Sequence, residues 1–326
     1  MSAEAPLLVV EGLDVGFPRA TPPVRAVIDA SVRLERGRSL GLVGESGAGK
    51  SQLALAILGL SAPGAVVAGS VRFNGEELIG ASASRLRALR GRHVGLVSQD
   101  PHGALAPHLK VGTQLIETLR AHRALGAAEA RAEALRLLER VQVPAAAERL
   151  RQFPHELSGG LRQRVVIAIA LVAGPELLIA DEPTTALDVT VEAGILALFS
   201  SLRADSQLSL LLVSHDLAVV GGLCDDIAVL YAGRIVESGP ARAVLAAPRH
   251  PYTEALKLAS TAFAAQPGQP LAAIPGSPPA PGTRITGCAF APRCASATEL
   301  CRAERPPLVA VEHGARIACH HPRVAP

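Results

Sequence analysis

Residues Gly44, Glu45, Ser46, Gly47, Ala48, Gly49, Lys50 and Ser51 form the pattern G-x-x-x-x-G-K-S. They stand between a short apolar run, Ser39–Val43, and an Ala/Leu-rich run, Gln52–Leu60. That order of residue types reads as a buried strand, a phosphate-binding loop and a helix. The glycines let the backbone wrap close enough for its N–H groups to point at phosphate oxygens, and the helix N-terminus adds its positive dipole end. Lys50 then reaches the β- and γ-phosphates, and the Ser51 hydroxyl is a Mg²⁺ ligand. A bland reading exists, because the chain has 30 glycines and a glycine-rich turn needs no ligand. Lysine, however, is scarce: Lys50, Lys110 and Lys257 are all there are. A chain of this composition holds about 0.002 chance matches to the pattern, so nucleotide binding is the reading retained.

The chain is 326 residues long, enough for one large or two modest domains with a real core. With 49% hydrophobic residues and only 2% aromatic ones, that core has to be Leu, Val, Ile and Ala. A net charge of +3 argues against a nucleic-acid partner. The mean hydropathy of +0.30 raises the question of a membrane. The longest apolar run, 165–174, is closed by Arg164 and Pro175, far short of the roughly 20 residues a span needs. No basic segment of the signal-peptide kind follows Met1. The expectation is a cytosolic protein whose membrane association runs through a partner.

Strands are expected at Leu7–Val10, Leu13–Phe17 and Ala26–Leu34, forming an antiparallel sheet layered against the phosphate-binding core. Phe17, before a loop, is a candidate to stack on an adenine; an ordinary edge Phe reads equally well. His93–Gln99 is a buried strand ending in polar residues. The stretch from about 103 to 157 has helical periodicity, clearest over Ala127–Val141, and reads as a helical insertion. Ser158, Gly159 and Gly160 then precede an apolar helix. They read as an N-cap or, more sharply, as a second anion site. Leu177–Pro183 is a strand delivering Asp181 and Glu182 at its C-terminal end, the edge where parallel α/β sheets bind ligands. A further strand ends at His215, and Ile227–Glu237 closes as a hairpin across Ala232-Gly233. Residues 263–287 form a Pro-rich connector. Beyond it stand Cys288, Cys294, Cys301 and Cys319, which in a reducing compartment point to metal or iron–sulfur ligation rather than disulfides. Cys224 reads as a small core residue.

Gly44–Ser51, Gln99, Leu157–Gln163, Leu177–Glu182, Ala186–Asp188 and His215, in this order and at these spacings, resemble the nucleotide-binding subunits of ATP-binding cassette (ABC) transporters. Ser98–Pro101, Asp188–Val191, His250–Leu256 and the cysteine-containing ending resemble the oligopeptide/dipeptide (peptide/nickel) importer branch. Leu161 departs from the Met usual there, an apolar swap. The resemblance implies an α/β P-loop NTPase fold: a RecA-like core with an antiparallel β subdomain and an inserted helical subdomain. It divides the chain into a nucleotide-binding domain over 7–255, with the helical subdomain at about 100–165, and a C-terminal extension over 256–326.

By that resemblance Lys50 and the loop amides bind ATP phosphates, while Ser51, Gln99 and Asp181 organise Mg²⁺. Glu182 is the general base, His215 contacts the γ-phosphate, and Asp188 belongs to the nucleotide site. Ser158, Gly159 and Gly160 cap the ATP of a second cassette, better taken as a different subunit than a second copy. Two transmembrane permease subunits and, indirectly, an extracytoplasmic substrate-binding protein complete the expected assembly, at the cytoplasmic face of the inner (plasma) membrane. The cargo implied is di- or oligopeptide, with nickel or glutathione as alternatives. A soluble ABC ATPase of DNA repair or translation, or a non-hydrolysing regulatory cassette, are the readings outside transport. For the four cysteines the resemblance implies a [4Fe–4S] cluster, with zinc second. This extension is expected to lie beyond the ATP site, so that Cys→Ser changes there would affect stability more than ATP affinity.

Overall fold

The computed structural model describes residues 5–185, 187–261 and 273–323. The backbone falls into two compact units, Met1–Ala81 with Leu212–Pro326, and Ser82–Leu211.

The first unit opens with β1 (Leu8–Phe17) and β2 (Val24–Leu34), which pair antiparallel. Sequence alternation suggested two short strands before residue 18. The chain instead forms one long strand that absorbs the irregularity as register shifts around Gly12, whose φ is 56°. β3 (Ser39–Val43) follows, buried along its whole length, and leads through the glycine-rich loop into α1 (Lys50–Ile57). Its start is pinned by Asp225, whose carboxylate accepts from the Ser39 amide and hydroxyl, both at 2.8 Å. β4 (Val66–Phe73) and β5 (Glu76–Glu77) then complete a four-stranded sheet in the order β2-β1-β4-β5. The expected antiparallel layer is present.

In the second unit the chain runs through α2 (Ala83–Leu89), β6 (Val94–Val97), α3 (Pro101–Ala104), α4 (Val111–His122), α5 (Ala127–Arg140) and α6 (Ala146–Arg149). α5 has the expected span, and its buried face is Ala130, Ala134, Leu137 and Leu138. Glu133 is engaged by Arg136 and by Arg123 at 3.0 Å, and these cations hold its carboxyl below the usual range. Next come α7 (Gly159–Ala170), β7 (Leu177–Asp181) and α8 (Val189–Ser206). β6 and β7 pair in parallel from Val94 with Leu177 to Val97 with Ala180. Every residue of β7 is buried, which is why its sequence is continuously apolar up to Asp181.

β8 (Ser209–Ser214) carries the chain out of the second unit. The first unit resumes with α9 (Leu217–Leu223), β9 (Asp226–Tyr231) and β10 (Arg234–Pro240), the last two a hairpin across Ala232-Gly233 as expected. β9 also pairs in parallel with β3. α10 (Ala241–Ala246), α11 (Pro251–Thr261) and α12 (Glu299–Ala303) follow, with two short strands, β11 (Val309–Ala310) and β12 (Arg316–Ile317). β12 pairs antiparallel with β10, so the end of the chain is stitched to the unit that holds the phosphate loop. Of the expected Pro-rich connector, residues 263–272 lie outside the described residues, and 273–287 hold no helix or strand. Cys224 is buried, with its sulfur 3.2 Å from where a Cβ on Gly41 of β3 would stand, so it is a core residue.

Candidate nucleotide site

The loop between β3 and α1 is shaped by two glycines for which no other residue fits. A Cβ on Gly44 would stand 2.2 Å from the Leu230 carbonyl oxygen, and one on Gly49, at φ 103°, 2.2 Å from that of Ala26. Gly47, at φ 77°, has nothing within 4 Å of its would-be Cβ. One side of the loop is therefore clamped on β9 and β2, while the other opens to a ligand. α1 has Gly49 as its N-cap and receives no side-chain cap hydrogen bond, and a helix start of this kind favours an anion through its dipole. Lys50 is only 4% exposed and curls under the loop, donating to the carbonyls of Gly44 at 2.7 Å and Glu45 at 3.1 Å.

In the same unit Phe17 ends β1, half-buried and paired with Val24. His215 is exposed, one residue past β8, and Asp216 after it caps α9 by accepting from the Ala218 amide at 2.7 Å.

The second unit gathers the expected carboxylates and amide. Asp181, 7% exposed, ends β7. Glu182 follows in a left-handed conformation, φ 45°, uncommon for a residue with a side chain and suited to a site that aims one. Its Oε2 accepts from Gln99 Nε2 at 3.3 Å and from Thr185 Oγ1 at 3.0 Å. Two segments 83 residues apart thus converge on one carboxylate.

Ser158 is the N-cap of α7, its hydroxyl accepting from the Leu161 amide at 3.4 Å, so the bland reading of this serine is fulfilled. The two glycines have a packing reason. A Cβ on Gly160 would meet Val191 Cγ1 at 2.4 Å, and one on Gly159 would meet Leu187 Cδ2 at 3.6 Å. The Ser-Gly-Gly element therefore lies against the start of α8, whose N-cap Asp188 accepts from the Val191 amide at 2.9 Å. Ala186, part of the motif that led here, lies outside the described residues.

The cysteine tail departs from expectation. Cys288, Cys294, Cys301 and Cys319 do line one small cavity, with His250, Phe290 and Ala291 among the other walls. Yet among the described residues no group of three or more His, Cys, Asp or Glu side chains is disposed to hold a metal ion. The [4Fe–4S] cluster and its zinc alternative are therefore withdrawn. Without a metal, burial pushes the Cys319 thiol up to about 11 and Cys288 in the same direction. The neighbouring imidazoles are engaged too, His320 Nε2 with the Glu304 carbonyl at 3.0 Å and His321 Nε2 with the Thr298 hydroxyl at 2.9 Å.

The tail is also not remote. Arg293, between two of the cysteines, forks both terminal nitrogens onto the Glu45 carboxylate of the phosphate loop, at 2.6 and 3.0 Å. The Glu45 amide donates to the Tyr252 hydroxyl at 2.8 Å. Sequence reading missed both of these partners of Glu45. The available signal was scarcity: the chain has two tyrosines, Tyr231 and Tyr252, and their rings pack tilted at 55°, with centroids 4.6 Å apart, beside the loop.

Comparison with known proteins places these features in a family context. Residues 27–185 match the ABC transporter model, and residues 236–301 match that of the oligopeptide/dipeptide transporter C-terminal region. The oligopeptide transport ATP-binding protein OppD of Salmonella typhimurium is 44% identical over 316 residues, 97% of this chain and 94% of that protein. The dipeptide transport ATP-binding protein DppD of Escherichia coli is 45% identical over 317 residues, 97% of both chains. Among solved structures, cbiO1 of Clostridium perfringens, part of the ABC transporter complex cbiONQ, superposes with a TM-score of 0.65 and 27% identity over 74% of this chain and 92% of its own. The ATP-binding cassette MJ0796, solved as a dimer bound to ADP and Pi, gives 0.65 and 25% over 72% and 99%.

Proposed function

From the premise that this chain belongs to the ABC-transporter ATPases, in the branch that carries the oligopeptide/dipeptide transporter C-terminal region, we propose that its ATP hydrolysis drives import of di- or oligopeptides across the cytoplasmic membrane. The observation that carries the reading is the phosphate loop, open on one side, uncapped at its helix and holding Lys50 beneath it.

Phosphoryl transfer to water needs neutralisation of charge around the γ-phosphate and one positioned base. The amides of Gly47–Ser51 and the Lys50 ammonium supply the first. Glu182 supplies the second: its carboxylate accepts a proton from the attacking water, and its Gln99 and Thr185 hydrogen bonds hold it in place. His215 is the γ-phosphate contact, and Phe17 the face for the adenine. Ser51 hydroxyl, Gln99 amide and Asp181 carboxylate are hard oxygen donors that would hold Mg²⁺, which would supply charge to offset the phosphates.

Ser158, Gly159, Gly160 and Asp188 address the ATP held by another cassette. The dimeric MJ0796 cassette, with its ADP and Pi, supports that arrangement. The partner here is a second, different ATPase subunit, and two permease subunits with a substrate-binding protein outside complete the importer. No helix among the described residues is long and apolar enough to cross a membrane, in keeping with a peripheral position on the cytoplasmic face.

The test is reconstitution in proteoliposomes with the second cassette, two permeases and a binding protein. Peptide-loaded binding protein should stimulate ATP hydrolysis and peptide uptake. Stimulation by nickel or glutathione but not by peptides would overturn the cargo. Failure to copurify with any polytopic membrane protein would return the soluble-ATPase reading.

A further inference from the structure

The second residue of the phosphate loop is an acid, Glu45, between Gly44 and Ser46. Glu45 is 25% exposed, and three partners fix it in three directions. Its amide donates to Tyr252 Oη, its carbonyl accepts from Lys50 Nζ, and its carboxylate accepts both terminal nitrogens of Arg293. The Arg293 side chain is 4% exposed and fully occupied. Its Nε donates to the Pro275 carbonyl at 2.8 Å and one terminal nitrogen to the Tyr231 hydroxyl at 3.2 Å. Its guanidinium lies 5.8 Å from the ring centres of both Tyr231 and Phe290. Phe290 in turn packs 5.3 Å from Tyr231 and 5.4 Å from Tyr252, so the turn that carries Arg293 is rooted in the same aromatic cluster.

We propose that Arg293 is a positioning residue for ATP: the C-terminal extension reaches back to neutralise and fix Glu45, so that the phosphate loop meets the triphosphate without an unpaired carboxylate. A bidentate arginine–carboxylate pair in a half-buried setting cancels the charge of Glu45 and fixes its direction, which a lysine does less well. Without Arg293 that carboxylate repels ATP, and it repels ADP less because ADP carries less charge. The loop would also lose one of the anchors that set its shape. The extension is then part of the nucleotide site rather than an appendage to it. The inference rests on the loop around Lys50 being the ATP site, and the test separates the two.

ATP and ADP titrations on the full chain, with Mg²⁺, decide it. Arg293→Ala should weaken ATP binding about tenfold and ADP binding by less, more strongly at low salt. Arg293→Ala with Glu45→Gln should return ATP affinity to within about twofold of wild type, because the repelling charge is gone. Arg293→Lys should fall between wild type and Arg293→Ala. In the assembled importer the effect should appear in KM for ATP, with kcat nearly unchanged. Wild-type affinity in Arg293→Ala overturns the proposal, as does a folded double variant no better than the single one. If Arg293→Ala does not fold, Arg293→Lys and Arg293→Lys with Glu45→Gln replace it: a partial loss regained in the double variant supports the proposal, and no change in either overturns it. Lys50→Ala is the control: undiminished ATP binding there would mean that the site itself was misread.

Discussion

Under the proposed function Lys50 and Glu182 carry opposite charges and have separable duties, and substitution should divide them. Lys50→Ala leaves phosphate charge unneutralised, so ATP affinity should fall together with ATP-driven transport. Glu182→Gln keeps the side-chain shape and an oxygen acceptor for Gln99 and Thr185, but no base. It should bind ATP, fail to hydrolyse it and trap a closed cassette dimer, as read by nucleotide binding and by size-exclusion chromatography. Equal loss of binding in both variants would refute the division. His250 makes a second prediction at this scale. It is 1% exposed, its Nδ1 accepts from the Tyr252 amide at 3.0 Å, and burial lowers its pKa to about 4. A histidine held neutral in the fold takes up its proton only on unfolding. Stability is therefore unaffected above the unfolded pKa of about 6.5 and falls as the pH drops from there towards 4. At pH 4.5 the wild type should have lost about 2–3 kcal/mol more, relative to pH 7, than His250→Asn, measured by urea unfolding of both. Parallel losses in the two proteins would show that His250 does not titrate this way.

Elements set what single residues can do. The N-terminus of α7 and the start of α8 approach so closely that Gly160 has no room for a methyl group beside Val191. Gly160→Ala should therefore destabilise the chain by about 1–3 kcal/mol, and Val191→Ala added to it should restore much of that. Denaturant midpoints of the two variants are the check. If the double variant is no more stable than the single one, the glycine is kept for another reason, such as backbone approach to a nucleotide. The cysteine-bearing segment shows the same dependence on context. Its four thiols share a cavity, but no group of side chains among the described residues is disposed to hold a metal ion, and what the segment delivers to the loop is Arg293.

At the scale of the whole molecule the chain has two helix starts for which the proposed function gives different anion partners. The N-terminus of α1 follows the phosphate loop, while that of α7 is exposed at Ser158. If the second serves the ATP of a partner cassette, Ser158→Arg should leave ATP binding by the isolated chain nearly intact and still block hydrolysis in the assembled complex. ATP titration and an ATPase assay measure the two halves of that statement. A demonstrably monomeric chain hydrolysing ATP at the transporter's rate, or a Ser158→Arg chain unable to bind ATP, would defeat the shared-site reading.

Local chemistry wrote the phosphate loop, the buried strand that ends in Asp181 and Glu182, and the caps at Ser158 and Asp188 into the sequence, because each is decided within a few residues. Apolar runs next to glycines or capping side chains have few conformations that satisfy their backbone groups. The family resemblance was legible for the same reason, as a set of such local solutions in one order. The Gln99–Glu182 hydrogen bond depends on strand pairing between segments 83 residues apart, and the Arg293–Glu45 pair spans 248. No periodicity carries a contact of that kind. The four-cysteine tail is the clearest case: its residue types suggested metal chemistry, but ligation depends on the relative aim of several side chains, and among the described residues no such group is formed. Packing decides that aim, and only the tertiary structure sets it.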